Sequence, residues 1–135
     1  MGSNKMRLIF IIGGKAQGKS EYAKTLAKSD CLIIDNLIDI VSDTTKGHCN
    51  EGDVNYDFTE EVARLTGMVT KSVDDRWGKA YECIIIGTEI GCGIVPATRA
   101  DRLLREVNGR VNCYYAKRAD EVIRLQSSVA MKIKG

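Results

Sequence analysis

The sequence predicts an α/β fold, with a mostly parallel central sheet held between two layers of helices. Three observations carry that prediction. Short, uninterrupted apolar runs alternate with stretches of helical spacing along the chain. The first apolar run leads into residues 13–20 (GGKAQGKS), which fit G-x-x-x-x-G-K-S/T without a mismatch. A helical stretch follows at once, so strand, glycine loop and helix stand in the order in which this motif binds phosphate. Together they specify a three-layer sandwich of the P-loop NTPase type. The chain of 135 residues is read as a single domain, since domains commonly run ~100–150 residues.

Each element has its own signal. Residues 7–12 (RLIFII) read as a short buried strand and residues 21–28 (EYAKTLAK) as the helix beyond the loop. Residues 31–35 (CLIID) are a second buried strand that ends in an acid, and residues 37–41 turn into a short helix. From Ser42 to Tyr56 the chain is polar and without periodicity, so residues 43–57 are expected to form a mobile loop. Asp57 and Glu60 have the spacing of an N-capping pair. The helix they open carries Val62, Leu65, Val69 and Val73 on one face and ends near Gly78. Residues 81–87 (YECIIIG) are a third strand, apolar enough to be central. Residues 88–97 (TEIGCGIVPA) form a glycine-bearing loop. Thr98 and Asp101 can cap a long helix with Leu103, Leu104, Val107, Val111 and Tyr115 on its inner side. Gly109 inside that helix costs about 1 kcal/mol relative to alanine, which points to close packing or a break. Residues 120–125 and 129–133 read as two final strands joined at Gln126, Ser127 and Ser128. The polar residues 1–5 are read as a disordered lead-in.

Composition narrows the function classes. The formal charge is +2 with acids and bases interspersed, which gives no ground for a nucleic-acid or membrane partner. The five cysteines are scattered with no C-x-x-C pair, so neither a zinc ribbon nor a thioredoxin motif is available. Cys31 and Cys83 open apolar runs and read as small core residues. Free thiols, no apolar run near 18 residues and no leader pattern lead to the expectation of a cytoplasmic protein.

The chemistry gathers at the glycine loop. Gly13, Gly14, Lys15, Ala16, Gln17, Gly18, Lys19 and Ser20 are the candidate nucleotide-binding residues. Glycines let the backbone fold around an anion with its N–H groups turned inward, and the following helix adds its positive end. Lys19 is placed to reach the β- and γ-phosphates of GTP or ATP, and the Ser20 hydroxyl to ligate Mg²⁺. Asp35 ends an apolar strand, where an acid holds that Mg²⁺, commonly through water. Glu89 follows another apolar strand and would emerge at the same sheet edge. Metal, a substrate hydroxyl and an acceptor are all open partners for it. Arg99, Arg102, Arg105 and Arg110 lie on the long helix, and either meet phosphate or form a solvated face. His48, the single histidine, sits in a polar stretch and reads as a surface residue.

The C-terminal half adds a more specific signal. The string TEIGCGIVPATRADRLLREVNGRVN, followed by ADEVIRLQSSVAMKIK, resembles the adenosylcobinamide kinase/adenosylcobinamide-phosphate guanylyltransferase family of cobalamin biosynthesis. Glu89, Gly91, Gly93, Pro96, Arg99, Arg102, Arg105, Gly109, Arg110, Asn112 and Asp120 carry the match, and the GGKAQGKS loop and Asp35 fit it. Thr88, Ala97 and Gln17 depart from the family's asparagine, acid and serine. The resemblance also implies a strand and helix between the loop helix and the Asp35 strand, bearing the histidine that forms a guanylyl-enzyme. Here Lys28 runs almost directly into Cys31, and His48 falls on the wrong side of that strand.

What the resemblance implies is therefore a shortened member. It would be a homo-oligomer (a trimer in the family) that phosphorylates the corrinoid adenosylcobinamide at its aminopropanol hydroxyl. Lys19, Asp35 and Glu89 would be the catalytic set, Mg²⁺ the cofactor, and the guanylyltransferase activity lost. The alternatives are a kinase with another alcohol acceptor, or a nucleotide-binding regulatory protein without catalysis.

Overall fold

A computed structural model describes residues 7–14, 18–28, 30–48, 58–78, 80–90 and 99–135. The elements run β1 (Arg7–Gly13), α1 (Lys19–Leu26), β2 (Cys31–Ile34), α2 (Leu37–His48), α3 (Phe58–Trp77), β3 (Glu82–Thr88), α4 (Arg99–Arg118), β4 (Glu121–Gln126) and β5 (Val129–Lys134). They build one five-stranded sheet in the order β2-β3-β1-β4-β5. Every pairing is parallel except the closing β4–β5 hairpin. The predicted α/β sandwich with a mostly parallel sheet is the fold of this chain.

Alternation along the strands divides the core into two layers. Leu8, Phe10, Cys83, Ile85 and Val122 point to the face covered by α2, α3 and α4. Ile9, Ile11, Ile84, Ile86 and Ile123 point to the other face, against Ala23 of α1. Strand β3 lies between β1 and β2 and is buried at all seven positions, which is why its run is apolar without alternation. Asp120 locks the start of β4 to β1: its carboxylate accepts the Leu8 N–H at 2.9 Å, and its own N–H donates to the Leu8 carbonyl at 2.8 Å. At the far end the hairpin turns through Ser127 and Ser128, both at positive φ (51° and 64°), the backbone that a tight two-residue turn between twisted strands requires.

Three expectations need correction. The first six residues of the predicted mobile loop 43–57 are helical, because α2 continues to His48. Leu37, Val41 and Thr45 follow at intervals of four and are all buried, and the Thr44 and Thr45 hydroxyls donate back to helix carbonyls at 2.7 and 3.0 Å. Residues 49–57 lie outside the described residues, as does Asp57 of the proposed capping pair. Gly109 neither breaks α4 nor packs closely, since a Cβ there would meet nothing within 4 Å. The third strand runs one residue further than predicted, through Thr88, which pairs with Gly13. Gly87 within it is glycine for a packing reason: an added Cβ would sit 2.7 Å from the Phe10 ring and from Asn112 Oδ1.

Cys83 is buried as read from the sequence, while Cys31 is only partly buried and packs at the margin of the core. Burial pushes the Cys83 thiol up to about 12, and burial together with the Glu82 carboxylate pushes Cys31 up to about 11. Among the described residues, no helix is long and apolar enough to cross a membrane.

Candidate active site

The sheet topology brings the chemistry-bearing residues to one edge. β1, β2 and β3 are parallel, so Gly13–Gly14, Asp35 and Glu89 all leave the sheet at its carboxyl end, where ligands of open α/β sheets bind. A backbone hydrogen bond from Glu89 N–H to the Gly13 carbonyl (2.9 Å) ties the two exits together. Gly13 must lack a side chain, because a Cβ there would stand 2.5 Å from the Leu125 carbonyl oxygen of β4. Gly18 takes the left-handed conformation (φ 80°, ψ 23°) as the N-cap of α1, with no side chain capping it. The helix dipole and its first free N–H groups therefore face the loop.

Lys19 is the centre of the arrangement. It is buried at the first position of α1. Its Nζ donates to the Gly13 carbonyl (2.8 Å), the Gly14 carbonyl (2.9 Å) and Thr88 Oγ1 (3.2 Å). Burial lowers its pKa below the ordinary lysine range, and the nearby Glu89 charge opposes that shift. The result is a buried cation held against the loop by three oxygen acceptors.

Glu89 is half-buried and paired with Arg124 of β4, through Nε to Oε1 at 3.1 Å and Nη2 to Oε2 at 3.1 Å. Nothing in the sequence reading singled out Arg124. Its signal was a charge interrupting the apolar run of β4 near its carboxyl end. Asn108 and Asn112 were also missed as site residues. Both are buried on α4, and both side-chain amides donate to the Thr88 carbonyl, at 2.9 and 3.3 Å. Two amides four apart on the apolar stripe of a helix should mark a buried polar partner.

The other predicted residues are placed as follows. Ser20 is the second residue of α1 and half-buried, and Asp35 is exposed just past β2. β2 is separated from β1 by β3, so Asp35 stands roughly 10 Å from the loop strand, two strand spacings away. Lys15, Ala16 and Gln17 lie outside the described residues, as do residues 91–98. Arg99 opens α4. Arg105 and Arg110 line an outer groove of about 570 Å³ with Thr66, Gly109, Cys113 and Tyr114. His48 ends α2.

The oxygen donors fit magnesium. Mg²⁺ keeps several waters and takes only one or two protein oxygens beside substrate phosphates. A hydroxyl at Ser20 and a carboxylate at Asp35 suit that chemistry. Among the described residues no group of three or more His, Cys, Asp or Glu gathers to hold a metal, which a phosphate-borne Mg²⁺ does not need.

A mostly parallel sheet with a glycine loop and a buried lysine at its carboxyl edge defines a P-loop type of protein. Within that class, the model of the cobinamide kinase / cobinamide phosphate guanyltransferase family matches residues 27–133, most of the chain. The chain belongs to that family. The match begins after the glycine loop, which therefore stands on its own motif and geometry. Curated relatives include the bifunctional adenosylcobalamin biosynthesis proteins CobU of Salmonella typhimurium, 43% identical over 51 residues, and of Escherichia coli K12, 41% identical over 51 residues. In each case the matched stretch is 38% of this chain and 28% of the relative.

Proposed function

We propose that this protein is an NTP- and Mg²⁺-dependent kinase of cobalamin biosynthesis that phosphorylates the hydroxyl of adenosylcobinamide and does not carry out guanylyl transfer. The observation that carries the reading is the Lys19 ammonium, buried at the carboxyl edge with Gly13, Gly14 and Thr88 as acceptors, in a chain of the cobinamide kinase family. Phosphoryl transfer is largely positioning and charge neutralisation. Lys19 and the loop amides hold the transferring charge; Ser20 and Asp35 would hold Mg²⁺, which would supply charge neutralisation at the phosphates. Glu89 contacts the acceptor from the neighbouring strand end. The absence of guanylyl transfer is supported by the connection between α1 and β2, which is four residues long (27–30). That is too short for the histidine-bearing strand and helix implied by the resemblance.

GTP labelled in turn at its γ- and α-phosphorus tests the reading. The γ label is expected on the corrinoid, and the α label on neither corrinoid nor denatured protein. An α label that survives denaturation on the protein would restore the guanylyl route. A second reading is favoured by one contact: Arg124 occupies both oxygens of Glu89, which suits an acceptor other than cobinamide, or none.

Glu89 also makes a pH prediction. Nucleotide affinity should fall as pH rises through the pKa of Lys19, since the neutral amine no longer attracts phosphate. The Glu89 charge raises that pKa against the effect of burial. Glu89→Gln removes the opposing charge, so the alkaline fall in affinity should move to lower pH, measured by calorimetric titration across the alkaline range. A limb that stays in place or moves upward would separate Glu89 from Lys19.

A further inference from the structure

Thr88 joins the loop lysine to the interior of the fold. Its hydroxyl accepts from Lys19 Nζ at 3.2 Å, while its carbonyl accepts the Asn108 and Asn112 side-chain amides at 2.9 and 3.3 Å. The residue is 8% exposed and sits in register with Gly13, where the loop begins. Two buried amides on one carbonyl are more than is needed to close a strand end. Among the described residues, both Oδ1 atoms lack a partner, an arrangement that costs stability. Gly87, immediately before, keeps its place only as glycine because Asn112 Oδ1 and the Phe10 ring press on it. The cluster therefore fixes the Thr88 backbone, from which the hydroxyl reaches Lys19.

We propose that Thr88, clamped by Asn108 and Asn112, is a positioning residue that aims Lys19 at the terminal phosphate of a nucleoside triphosphate and thereby sets the preference for triphosphate over diphosphate. The inference rests on the phosphate-loop reading above. The hydroxyl accepts from the ammonium through a lone pair and keeps its own proton. An oxygen that takes up the same ammonium comes within reach of that proton. A hydroxyl replaced by a methyl group leaves Lys19 with the loop carbonyls alone, free to swing toward the inner phosphates that a diphosphate also has.

The test is calorimetric titration of the full chain with Mg²⁺ and either GDP or the non-hydrolysable imidotriphosphate analogue of GTP. Thr88→Val keeps the side-chain shape. It is expected to lose about tenfold in affinity for the triphosphate analogue, the scale of one hydrogen bond to a charged group, with GDP affinity and melting temperature nearly unchanged. Thr88→Ser restores the preference. Asn108→Ala, which leaves one clamp, should shift it part of the way. Equal losses for both nucleotides, or no loss for either, would overturn the role of Thr88 while leaving the phosphate loop intact. A wild-type chain that binds neither nucleotide, with Lys19→Ala indistinguishable from it, would overturn the phosphate-loop reading itself.

Discussion

Lys19→Ala is expected to lose phosphoryl transfer by about a hundredfold to a thousandfold, the scale of removing one preorganised donor from developing charge. The fold should survive the change. Burial already disfavours the charged form of Lys19, so removing the cation relieves a desolvation cost, while the Gly13 carbonyl keeps the Glu89 N–H as its donor and the Gly14 carbonyl is only part-buried. Melting temperature should therefore shift by only a few degrees while transfer disappears. Lys19→Arg should not rescue, because a planar fork cannot take the three acceptors that converge on a single ammonium. Initial rates with labelled nucleotide, paired with thermal melting of each variant, check both halves. Transfer retained in Lys19→Ala would remove the lysine from the mechanism.

Tyr115→Ala should be the most destabilising single change, by about 3–5 kcal/mol, as for large aromatic residues emptied from a close-packed core. Tyr115 is fully buried on α4 and among the largest such side chains. Its ring lies 6.3 Å from Phe10 of β1 and meets Tyr114 edge-on at 5.0 Å. Its hydroxyl donates to Thr70 O and Asp74 Oδ1, both at 3.3 Å, which ties α4 to α3. Burial holds that phenol well above its ordinary pKa. Tyr115→Phe keeps the ring and loses only long hydrogen bonds, so it should cost about 1 kcal/mol. Urea unfolding of the two variants separates packing from hydrogen bonding. Equal costs would mean that the hydroxyl, not the ring, holds α4 in place.

The strands were legible because they are buried on both faces. Residues 8–12, 31–34 and 83–86 are apolar without a break, which is the pattern of a parallel sheet covered on each side. Helices α3 and α4 were legible from their periodic apolar stripes. The tail of α2 was not, because its third buried position is Thr45, a residue that reads as polar until its hydroxyl is seen returning to the Ser42 carbonyl. Thr88 looked like loop because glycine precedes it, whereas that glycine answers to Phe10 and Asn112 packing from elsewhere in the chain.

The site divides in the same way. Gly13, Gly18 and Lys19 could be named from spacing alone, since their geometry is local to one strand, turn and helix. Thr88, Asn108 and Arg124 could not, since their partners depend on strand order. β3 must lie beside β1 for Thr88 to meet Lys19, and β4 on the other side of β1 for Arg124 to face the same edge. No window of sequence contains that order, because parallel pairing joins residues far apart in the chain. The position of Asp35 at a strand end could be read from sequence, but its separation from the loop strand by β3 could not.

The most direct measurement is the mass of the corrinoid after incubation with the wild-type chain, Mg²⁺ and GTP or ATP. The account predicts adenosylcobinamide phosphate, made at the expense of the γ-phosphate and missing from the Lys19→Ala control. Unchanged adenosylcobinamide, from a protein that binds the nucleotide in the same solution, would contradict the account.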